Sequence, residues 1–275
     1  MHTDLGHFFF RYRNTIGPFA FLAAIVVGKP TYPFGRPDLD LVLDAAGMVV
    51  ALSGEALRIL TIGYEYIARG GRNRRVHAST LIQGGVFAHC RNPLYVGNIL
   101  LAIGIALVVN SLVFYVAVLP LVALAYRSIV AAEEDFLRQK FGDAYVQYCR
   151  RVNRWVPRWK GWRRSTANMT FNWRRVLVKE YNTIFVATLT LAAVKIWADY
   201  RVQGAATLPS PTVLGTALLL WVSVYVAVRF LKKSELINPL KVRRRAPPNR
   251  SSHRSGSWSP PCSGKRGTAL CCALG

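Results

Sequence analysis

Three consecutive residues at the edge of an apolar stretch have the chemistry of a binding site. Residues 89–98 read HCRNPLYVGN and run directly into a long, almost wholly apolar segment. Pro93 fixes its own φ, has no N–H donor and disfavours helical geometry at Asn92, which predicts an ordered turn where a helix begins. The N–H groups of a helix N-terminus, beside the permanent cation of Arg91, favour an anionic or carbonyl-bearing ligand. On these residues alone, an Arg91 that reaches lipid phosphate is the simpler interpretation.

A pair of consecutive carboxylates follows the next apolar stretch. Glu133 and Glu134 lie in YRSIVAAEEDFLRQKFGDAYVQYCRRV, about two helical turns after Arg127. Like charges at adjacent positions repel each other and are costly near hydrocarbon, so we expect the pair to bind cations or hydroxyl groups. Taken alone, the pair is more simply interpreted as the solvated acidic start of a helix.

Apolar and charged residues occupy different segments of the chain. Of its 275 residues 52% are hydrophobic, yet 36 basic and 13 acidic side chains give a formal net charge of +23. We therefore predict an all-α polytopic membrane protein with about six transmembrane helices and a helical hairpin in its core. The six apolar runs are Ile16–Gly28, Leu39–Tyr64, Leu94–Val109, Leu112–Tyr126, Ile184–Trp197 and Val213–Leu231.

The third and fourth of these runs are predicted to form the hairpin, which turns at Asn110 and Ser111. A closed hairpin brings its two ends together and so places the Arg-Asn-Pro turn beside the acidic pair. A polar cluster built at a membrane surface from both ends of a hairpin indicates a site more strongly than either half alone. The polar side chains expected to meet there are Arg91, Asn92, Tyr95, Arg127, Glu133 and Glu134.

Lys and Arg are concentrated in some connecting segments and rare in others. They are dense after the second run, between residues 138 and 179, and after Lys232. This distribution predicts an integral membrane protein with both termini and the polar cluster in the cytoplasm. Basic faces beside a membrane indicate contact with anionic lipid headgroups, and no nucleic-acid recognition motif accompanies them. The five cysteines show no C-x-x-C spacing, so we expect no metal site.

Composition also divides the chain into three regions. Residues 1–157 carry the polar cluster and the first four helices, and residues 158–240 hold a basic interfacial connector followed by two further membrane helices. Residues 241–275 are rich in Pro, Ser, Gly and Arg. This composition predicts a disordered tail, because it leaves little to bury.

Two stretches resemble the signature of the isoprenylcysteine carboxyl methyltransferases and their phospholipid methyltransferase relatives. They are LIQGGVFAHCRNPLYVGNILLAIGIALVVNS and EEDFLRQKFGDAYVQYCRRVNRWVP, within about residues 80–157. The family pattern has Arg-His-Pro-x-Tyr-x-Gly, a helical hairpin, Glu-Glu, Phe-Gly-x-x-Tyr-x-x-Tyr and a terminal Pro, in that order. The resemblance implies an integral membrane enzyme that uses S-adenosylmethionine.

The resemblance also implies roles for individual residues. It implies cofactor contacts from most of the following residues, to which we add Arg91 because of its cation beside the turn. The expected cofactor contacts are Ser79, Thr80, Leu81, Ile82, Phe87, Arg91, Asn92, Pro93, Leu94, Tyr95 and Glu133. Two positions depart from the family pattern: Asn92 stands where His is usual, and Ile129 stands where an Arg is usual. Arg127 is the nearest substitute for that Arg, and Arg127 and Glu134 are the candidates for catalysis.

The chemistry of the acceptor decides which catalytic groups are needed. Methyl transfer from a sulfonium is an in-line displacement that benefits from a dry, aligned site. A carboxylate on a lipid or prenyl-type acceptor is already ionised at neutral pH and needs only a cation, a role for Arg127, and we favour this acceptor. An amine needs a base, which Glu133 or Glu134 can supply. Either glutamate can instead bind the ribose hydroxyls or the amino acid end of the cofactor.

Two other functions fit part of the sequence. A sterol-reductase-like oxidoreductase that uses NADPH has a similar Arg-x-Pro-x-Tyr-x-Gly turn, but the short chain and the intact Glu-Glu segment count against it. A non-catalytic scaffold that binds anionic lipid predicts affinity for neither cofactor. Separately, Glu55 and Arg58 stand three residues apart in the second apolar run, close enough to pair. Such an intramembrane pair is a candidate for either a functional or a structural role.

Overall fold

The computed structural model describes residues 2–65, 78 and 80–233, which fold almost entirely into helices. Within those residues seven α-helices follow one another, with short 3-10 or π turns between some of them. They are α1 (His2–Val27), α2 (Pro37–Tyr64), α3 (Pro93–Val109), α4 (Leu119–Arg151), α5 (Trp162–Thr166), α6 (Trp173–Gln203) and α7 (Pro211–Lys233).

The length and composition of these helices confirm the prediction of an all-α polytopic membrane protein. Four helical segments are long and apolar enough to cross a membrane, and two shorter apolar helices accompany them. The four are Pro37–Tyr64, Phe114–Arg151, Trp173–Gln203 and Pro211–Lys233, and the two shorter ones are Thr15–Val27 and Pro93–Val109. The 17 residues of α3 make a helix about 25 Å long, slightly shorter than the roughly 30 Å hydrocarbon core of a bilayer.

Glycines allow α2 and α3 to pack backbone against backbone. Gly47 and Gly54 on α2 have the same spacing as Gly97 and Gly104 on α3. A Cβ atom at Gly54 would lie 2.6 Å from the carbonyl oxygen of Gly97, and one at Gly47 would lie 2.7 Å from that of Gly104. A larger side chain at any of these positions therefore forces the helices apart. This contact, which we call the glycine seam, fixes the position of α3 along α2.

The α3–α4 hairpin turns at Asn110 and Ser111, as predicted. Asn110 has φ 42° and ψ 54°, a left-handed conformation that Asn tolerates better than most residues. Its backbone oxygen accepts a hydrogen bond of 3.3 Å from the N–H of Thr31, and its Nδ2 donates one of 2.6 Å to the carbonyl oxygen of Thr31. These bonds tie the tip of the hairpin to the segment that follows α1.

At the other end of the hairpin, α1 packs closely on α4. A Cβ atom at Gly6 would lie 2.3 Å from the carbonyl oxygen of Ser128, so the two backbones nearly touch there. Phe9, Phe10 and Ile129 form a buried cluster between the same helices. Helix α1 therefore covers the part of α4 that leads into the acidic pair.

Helix α6 runs antiparallel to α2, and ion pairs join the two helices near both ends. Lys195 of α6 lies 2.7 Å from Asp44 near the start of α2. Arg58 lies 2.8 Å from Glu180 near the other end. Helix α7 packs on α6 and leaves many large apolar side chains exposed, as expected for a helix that faces lipid.

Some sequence predictions concern residues outside the described part of the chain. The predicted disordered tail at 241–275 lies there, as does the basic segment at 66–77. The predicted divisions of the chain after residues 157 and 240 remain predictions.

Candidate functional site

The Arg-Asn-Pro turn is held by the backbone that follows α4. Pro93 is the first residue of α3, and Asn92 precedes it with φ −127° and ψ 50°, outside the helical region. The N–H of Arg91 donates to the carbonyl oxygen of Asn153 at 2.9 Å, and Nδ2 of Asn92 donates to that of Arg154 at 3.2 Å. The turn expected at the start of this helix is present, and the segment after α4 fixes its position.

A kink in α4 brings the end of that helix back to the same turn. Gly142 has φ 51° and ψ −127°, a conformation open to glycine and costly for other residues. Beyond the kink Tyr145 and Tyr148 are buried, and the hydroxyl of Tyr148 donates to the carbonyl oxygen of Phe87 at 2.8 Å. Leu81 packs against the same tyrosines. The segment before the turn therefore lies along the end of α4.

Glu134 is the charged centre of the site. Its side chain is buried, and Nε of Arg154 donates to its Oε1 at 3.0 Å while Nη2 of Arg154 pairs with its Oε2. Nη1 of Arg91 lies 3.3 Å from the same Oε1. Both carboxylate oxygens are therefore engaged by arginine, an arrangement that holds two guanidinium groups in fixed positions.

Arg91 lies between Glu134 and a thiol. Its Nη1 is 2.6 Å from Sγ of Cys149. Burial on its own would lower the pKa of Arg91, but Glu134, followed by Cys149 and Tyr145, raises that pKa above its ordinary value. Its Nε is buried and has no hydrogen-bond partner among the described residues. Because a buried donor without an acceptor is costly, this atom is suited to an anionic or carbonyl-bearing ligand.

Glu133 has a different partner from its neighbour. The hydroxyl of Tyr95 donates to Oε1 of Glu133 at 2.7 Å, across the open end of the hairpin. The ring of Tyr95 lies against that of Tyr126, with centroids 5.3 Å apart. Tyr95 and Glu133 are both half-buried. Glu133 is thus more accessible to a ligand than the buried Glu134.

The two residues before Arg91 are held by the segment that follows α4: His89 contacts the connector, and Sγ of Cys90 donates to the carbonyl oxygen of Trp155 at 3.4 Å. Nε2 of His89 is hydrogen-bonded to Oγ of Ser165 at 2.7 Å, and its Nδ1 is hydrogen-bonded to the carbonyl oxygen of Arg158. The His89 ring stacks on Trp159, with centroids 6.1 Å apart. Cys90 is completely buried, and burial raises the pKa of its thiol to about 11.

Hydrogen bonds or ion pairs join most of the predicted polar residues to one another or to the segment after α4, and those described do not include Arg127. Arg127 is exposed on α4, and no ion pair within the described ranges includes it. Ser79 lies outside the described residues. The burial of the other predicted residues varies: Thr80 is exposed, Leu81, Ile82 and Leu94 are half-buried, and Phe87 and Pro93 are buried. In this same part of the chain no group of three or more His, Cys, Asp or Glu side chains is arranged to hold a metal.

A second polar cluster, which we call the α2–α6 cluster, lies on the α2 side of the first turn of α3. Nη2 of Arg58 donates to Oε2 of Glu180 at 2.8 Å. Its Nη1 donates to the side-chain oxygen of Asn98 and, at 3.5 Å, to the carbonyl oxygen of Leu94. Glu55, the partner expected from spacing, is farther away, with Oε1 4.0 Å from Nε of Arg58.

Sequence reasoning did not single out Arg154, Cys149 or Glu180. Arg154 stands 20 residues after Glu134, and the kink at Gly142 separates them along the chain. Glu180 is 122 residues from Arg58. Glu180 stands four residues before the apolar run that starts at Ile184, so the sequence placed it in the connector, whereas the structure places it within α6.

The fold and the site together define an all-α integral membrane protein with a polar site at one end of a helical hairpin. The family model described as Phospholipid methyltransferase matches residues 50–144, which contain the Arg-Asn-Pro turn, the hairpin and the acidic pair. This part of the chain is similar to that family, and the resemblance recognised in the sequence is confirmed.

Curated relatives match over part of their length. The chain is 26% identical over 146 residues to the cobalt-zinc-cadmium resistance protein CzcN of Cupriavidus metallidurans, covering 53% of this chain and 65% of that protein. It is 32% identical over 124 residues to the protein-S-isoprenylcysteine O-methyltransferase of Rattus norvegicus, covering 43% of each. It is 29% identical over 114 residues to protein-S-isoprenylcysteine O-methyltransferase B of Arabidopsis thaliana, covering 40% of this chain and 57% of that protein. No solved structure matches the chain.

Proposed function

We propose that the protein transfers a methyl group from S-adenosylmethionine to a lipid or prenyl-type acceptor, with a carboxylate oxygen as the favoured acceptor atom. The observation that carries this proposal is the 2.7 Å hydrogen bond between Tyr95 and Glu133, which joins the two halves of the family signature in one site. The names of the rat and Arabidopsis relatives support O-methylation over N-methylation.

The groups at this site complement those of S-adenosylmethionine. A carboxylate requires N–H donors, and both the first turn of α3 and the buried Nε of Arg91 supply them. An amino group and ribose hydroxyls require acceptors, which Glu133 supplies. Half-buried Leu81 and Ile82 add apolar surface for an adenine ring. When bound, the cofactor supplies an electrophilic methyl group on a sulfonium.

The chain's own residues bind and orient the reactants. Because both oxygens of Glu134 are engaged by arginine, we assign Glu134 to holding Arg91 beside the turn. Pro93 restricts the turn itself. We assign Arg127 to the acceptor, since it is an exposed cation about two turns before Glu133 on α4. A carboxylate acceptor is ionised at neutral pH, so the transfer needs no strong base.

We also propose that the site and both termini face the cytoplasm. The connector between α4 and α6 carries basic side chains and interleaved tryptophans, such as the half-exposed Trp159, which suits the anionic headgroups of the cytoplasmic leaflet. A single cysteine introduced at Lys160 tests this proposal. An impermeant thiol reagent should label it in inside-out vesicles and leave it unlabelled in right-side-out vesicles.

Calorimetric titration of the purified protein with S-adenosylmethionine, and separately with NADPH, tests the cofactor. We expect saturable binding of S-adenosylmethionine and none of NADPH. Binding of NADPH alone would favour a sterol-reductase-like oxidoreductase. Binding of neither would favour a scaffold that contacts anionic lipid.

The acceptor assignment is tested with Arg127→Lys, because Lys cannot reproduce the bidentate contact of Arg with a carboxylate. Methyl transfer is followed from labelled cofactor into prenyl-cysteine analogues and extracted lipids. We expect a higher KM or a lower kcat for carboxylate acceptors, with nearly constant cofactor affinity. Arg138→Lys, another exposed position on α4, is the control. Equal rates for Arg127→Lys and wild type on every acceptor would remove Arg127 from the site.

A further inference from the structure

One short segment, which we call the strap, contacts every residue of the stretch 89–92 that leads into α3. The strap comprises residues 153–165, which connect the end of α4 to α5. The N–H of Arg91 donates to the carbonyl oxygen of Asn153 at 2.9 Å, which ties the cation of the candidate site to the strap backbone. The residues of the stretch that are hydrogen-bonded to the strap are His89, Cys90, Arg91 and Asn92. The position of the turn therefore depends on the position of the strap.

The outer face of the strap is strongly basic. Its thirteen residues contain no Asp or Glu and expose the cations Arg154, Arg158, Lys160, Arg163 and Arg164. Arg154 pairs with the buried Glu134 of the site. Within the described ranges no ion pair includes any of the other four cations. Because like charges on one short segment repel each other, this face favours an anionic partner.

Exposed apolar side chains stand among these cations. Val156 is 69% exposed and Trp159 is 48% exposed. The ring of Trp162 lies against that of Tyr64, the last residue of α2, with centroids 5.4 Å apart. Because α2 is long and apolar enough to cross a membrane, its end marks the level of the lipid headgroups. Cations and exposed apolar side chains together at that level fit an anionic lipid surface better than an acidic soluble protein.

We propose that an anionic lipid surface binds the outer face of the strap and thereby raises the affinity of the site for the cofactor. This inference rests on the proposed use of S-adenosylmethionine and adds a means of regulating that site. Headgroup phosphates offset the repulsion among the strap cations, so the strap keeps its hydrogen bonds to residues 89–92. On a neutral surface the repulsion persists, and separation of the strap from the turn deprives the N–H of Arg91 of its acceptor at Asn153.

The full chain in lipid nanodiscs of two compositions tests the proposal. One composition is phosphatidylcholine alone, and the other is equal parts of phosphatidylcholine and phosphatidylglycerol. Hydrogen exchange of peptides that cover residues 89–92, without cofactor, measures how well the strap is held. Calorimetry measures the dissociation constant of S-adenosylmethionine. Neutral discs with added inorganic phosphate show whether a soluble anion is sufficient.

We expect slower exchange and about fivefold tighter cofactor binding in the anionic discs, which corresponds to the contribution of one basic side chain near an anionic surface. The difference should vanish at about 1 M salt, which screens charges beyond about 3 Å. The double variant Arg163→Gln, Arg164→Gln should bring the two compositions close together. The double variant Lys29→Gln, Arg201→Gln is the matched control, because it removes two exposed cations at the end of the helices opposite the turn. It should retain the full difference.

Three results would overturn the proposal. Equal affinity for S-adenosylmethionine in the two compositions means that lipid charge does not control the site. A difference that persists in the folded variant Arg163→Gln, Arg164→Gln places the lipid contact elsewhere. An equal effect of inorganic phosphate in neutral discs means that the partner is a soluble anion.

The two readouts separate this proposal from the proposed function. If S-adenosylmethionine binds in neither composition, the proposed cofactor is wrong, and hydrogen exchange alone decides whether lipid charge holds the strap. Slower exchange in the anionic discs then supports the contact between strap and lipid, and equal exchange overturns it.

Discussion

The hydroxyl group of Tyr95 on α3 donates a hydrogen bond of 2.7 Å to Glu133 on α4, across the open end of the hairpin. The glycine seam fixes the position of α3 along α2. Both partners therefore stand on helices that are held by close packing, which gives a binding site more precise geometry than a loop provides.

Glu133→Gln should weaken binding of S-adenosylmethionine by about 1.5–3 kcal/mol, because it replaces a charged acceptor by a neutral one. The measurement is a dissociation constant from calorimetry on protein with an unchanged thermal midpoint. Asp135→Asn is a matched control, since Asp135 contacts only Gln139 among the bonds described for its side chain. An unchanged dissociation constant in folded Glu133→Gln would remove Glu133 from the cofactor site.

Substitutions of Glu134 and of its two arginine partners, Arg91 and Arg154, should differ in their effect on the free energy of unfolding. Glu134→Gln should lower the free energy of unfolding by about 3 kcal/mol, because it leaves the Arg91 side chain, 13% exposed, without its carboxylate. Arg91→Gln should cost about as much, as it removes the other member of that buried pair. Arg154→Gln should cost about 1 kcal/mol or less, because the Arg154 side chain is 42% exposed. Thermal midpoints in detergent give the ranking, and equal losses for all three variants would contradict it.

The glycine seam should not tolerate a side chain. Gly97→Val should destabilise the protein by about 1–3 kcal/mol, since a Cβ atom there lies 2.5 Å from a carbon of Arg58 and 2.8 Å from the carbonyl oxygen of Gly54. Gly215→Val on α7 is the control, because no atom lies within 4 Å of a Cβ at that position. Similar thermal midpoints for the two variants would mean that α2 and α3 can separate without cost.

Cys90 should resist alkylation far above neutral pH. Raising the pKa of its thiol from about 9 to about 11 reduces the thiolate fraction at pH 8 about 100-fold, before access is considered. Iodoacetamide labelling of variants that retain only Cys90 or only Cys149 measures this, and the half-buried Cys149 should react faster. Because the folded state favours the protonated thiol, Cys90 contributes stability that is complete below about pH 9 and is lost as the pH rises toward about 11. Rapid labelling of Cys90 in folded protein at pH 8 would contradict the burial.

Sequence patterns were sufficient to predict the parts of the fold that local properties of the chain determine. Apolar runs of the right length predicted the membrane helices, and Asn110 at the tip predicted the hairpin. The two ends of a closed hairpin lie close together, so the positions of Tyr95 and Glu133 in the sequence were enough to predict that they approach each other.

Contacts that depend on long-range geometry were beyond sequence reasoning. The pairing of Arg154 with Glu134 depends on one backbone conformation at Gly142, and the family motif indicates that glycine without indicating the direction of the bend. Arg58 lies within 4.0 Å of Glu55, as the spacing predicted, but its closer partner is Glu180, because α6 packs beside α2 and helix order along the chain does not specify that neighbour. The expectation that Arg127 joins the cluster rested on distance along α4, whereas its side chain is exposed and no described ion pair includes it.

The glycine seam also limits how a hydrophobic molecule enters from the bilayer. Between Gly47 and Gly54 on one helix, and Gly97 and Gly104 on the other, the backbones leave no width for an acyl or prenyl chain. This side of the helical wall is therefore sealed over a length of about 10 Å. A lateral portal for the tail of an acceptor has to open between other helices, and the dimensions of that portal, rather than the polar site, will set the chain length the protein accepts.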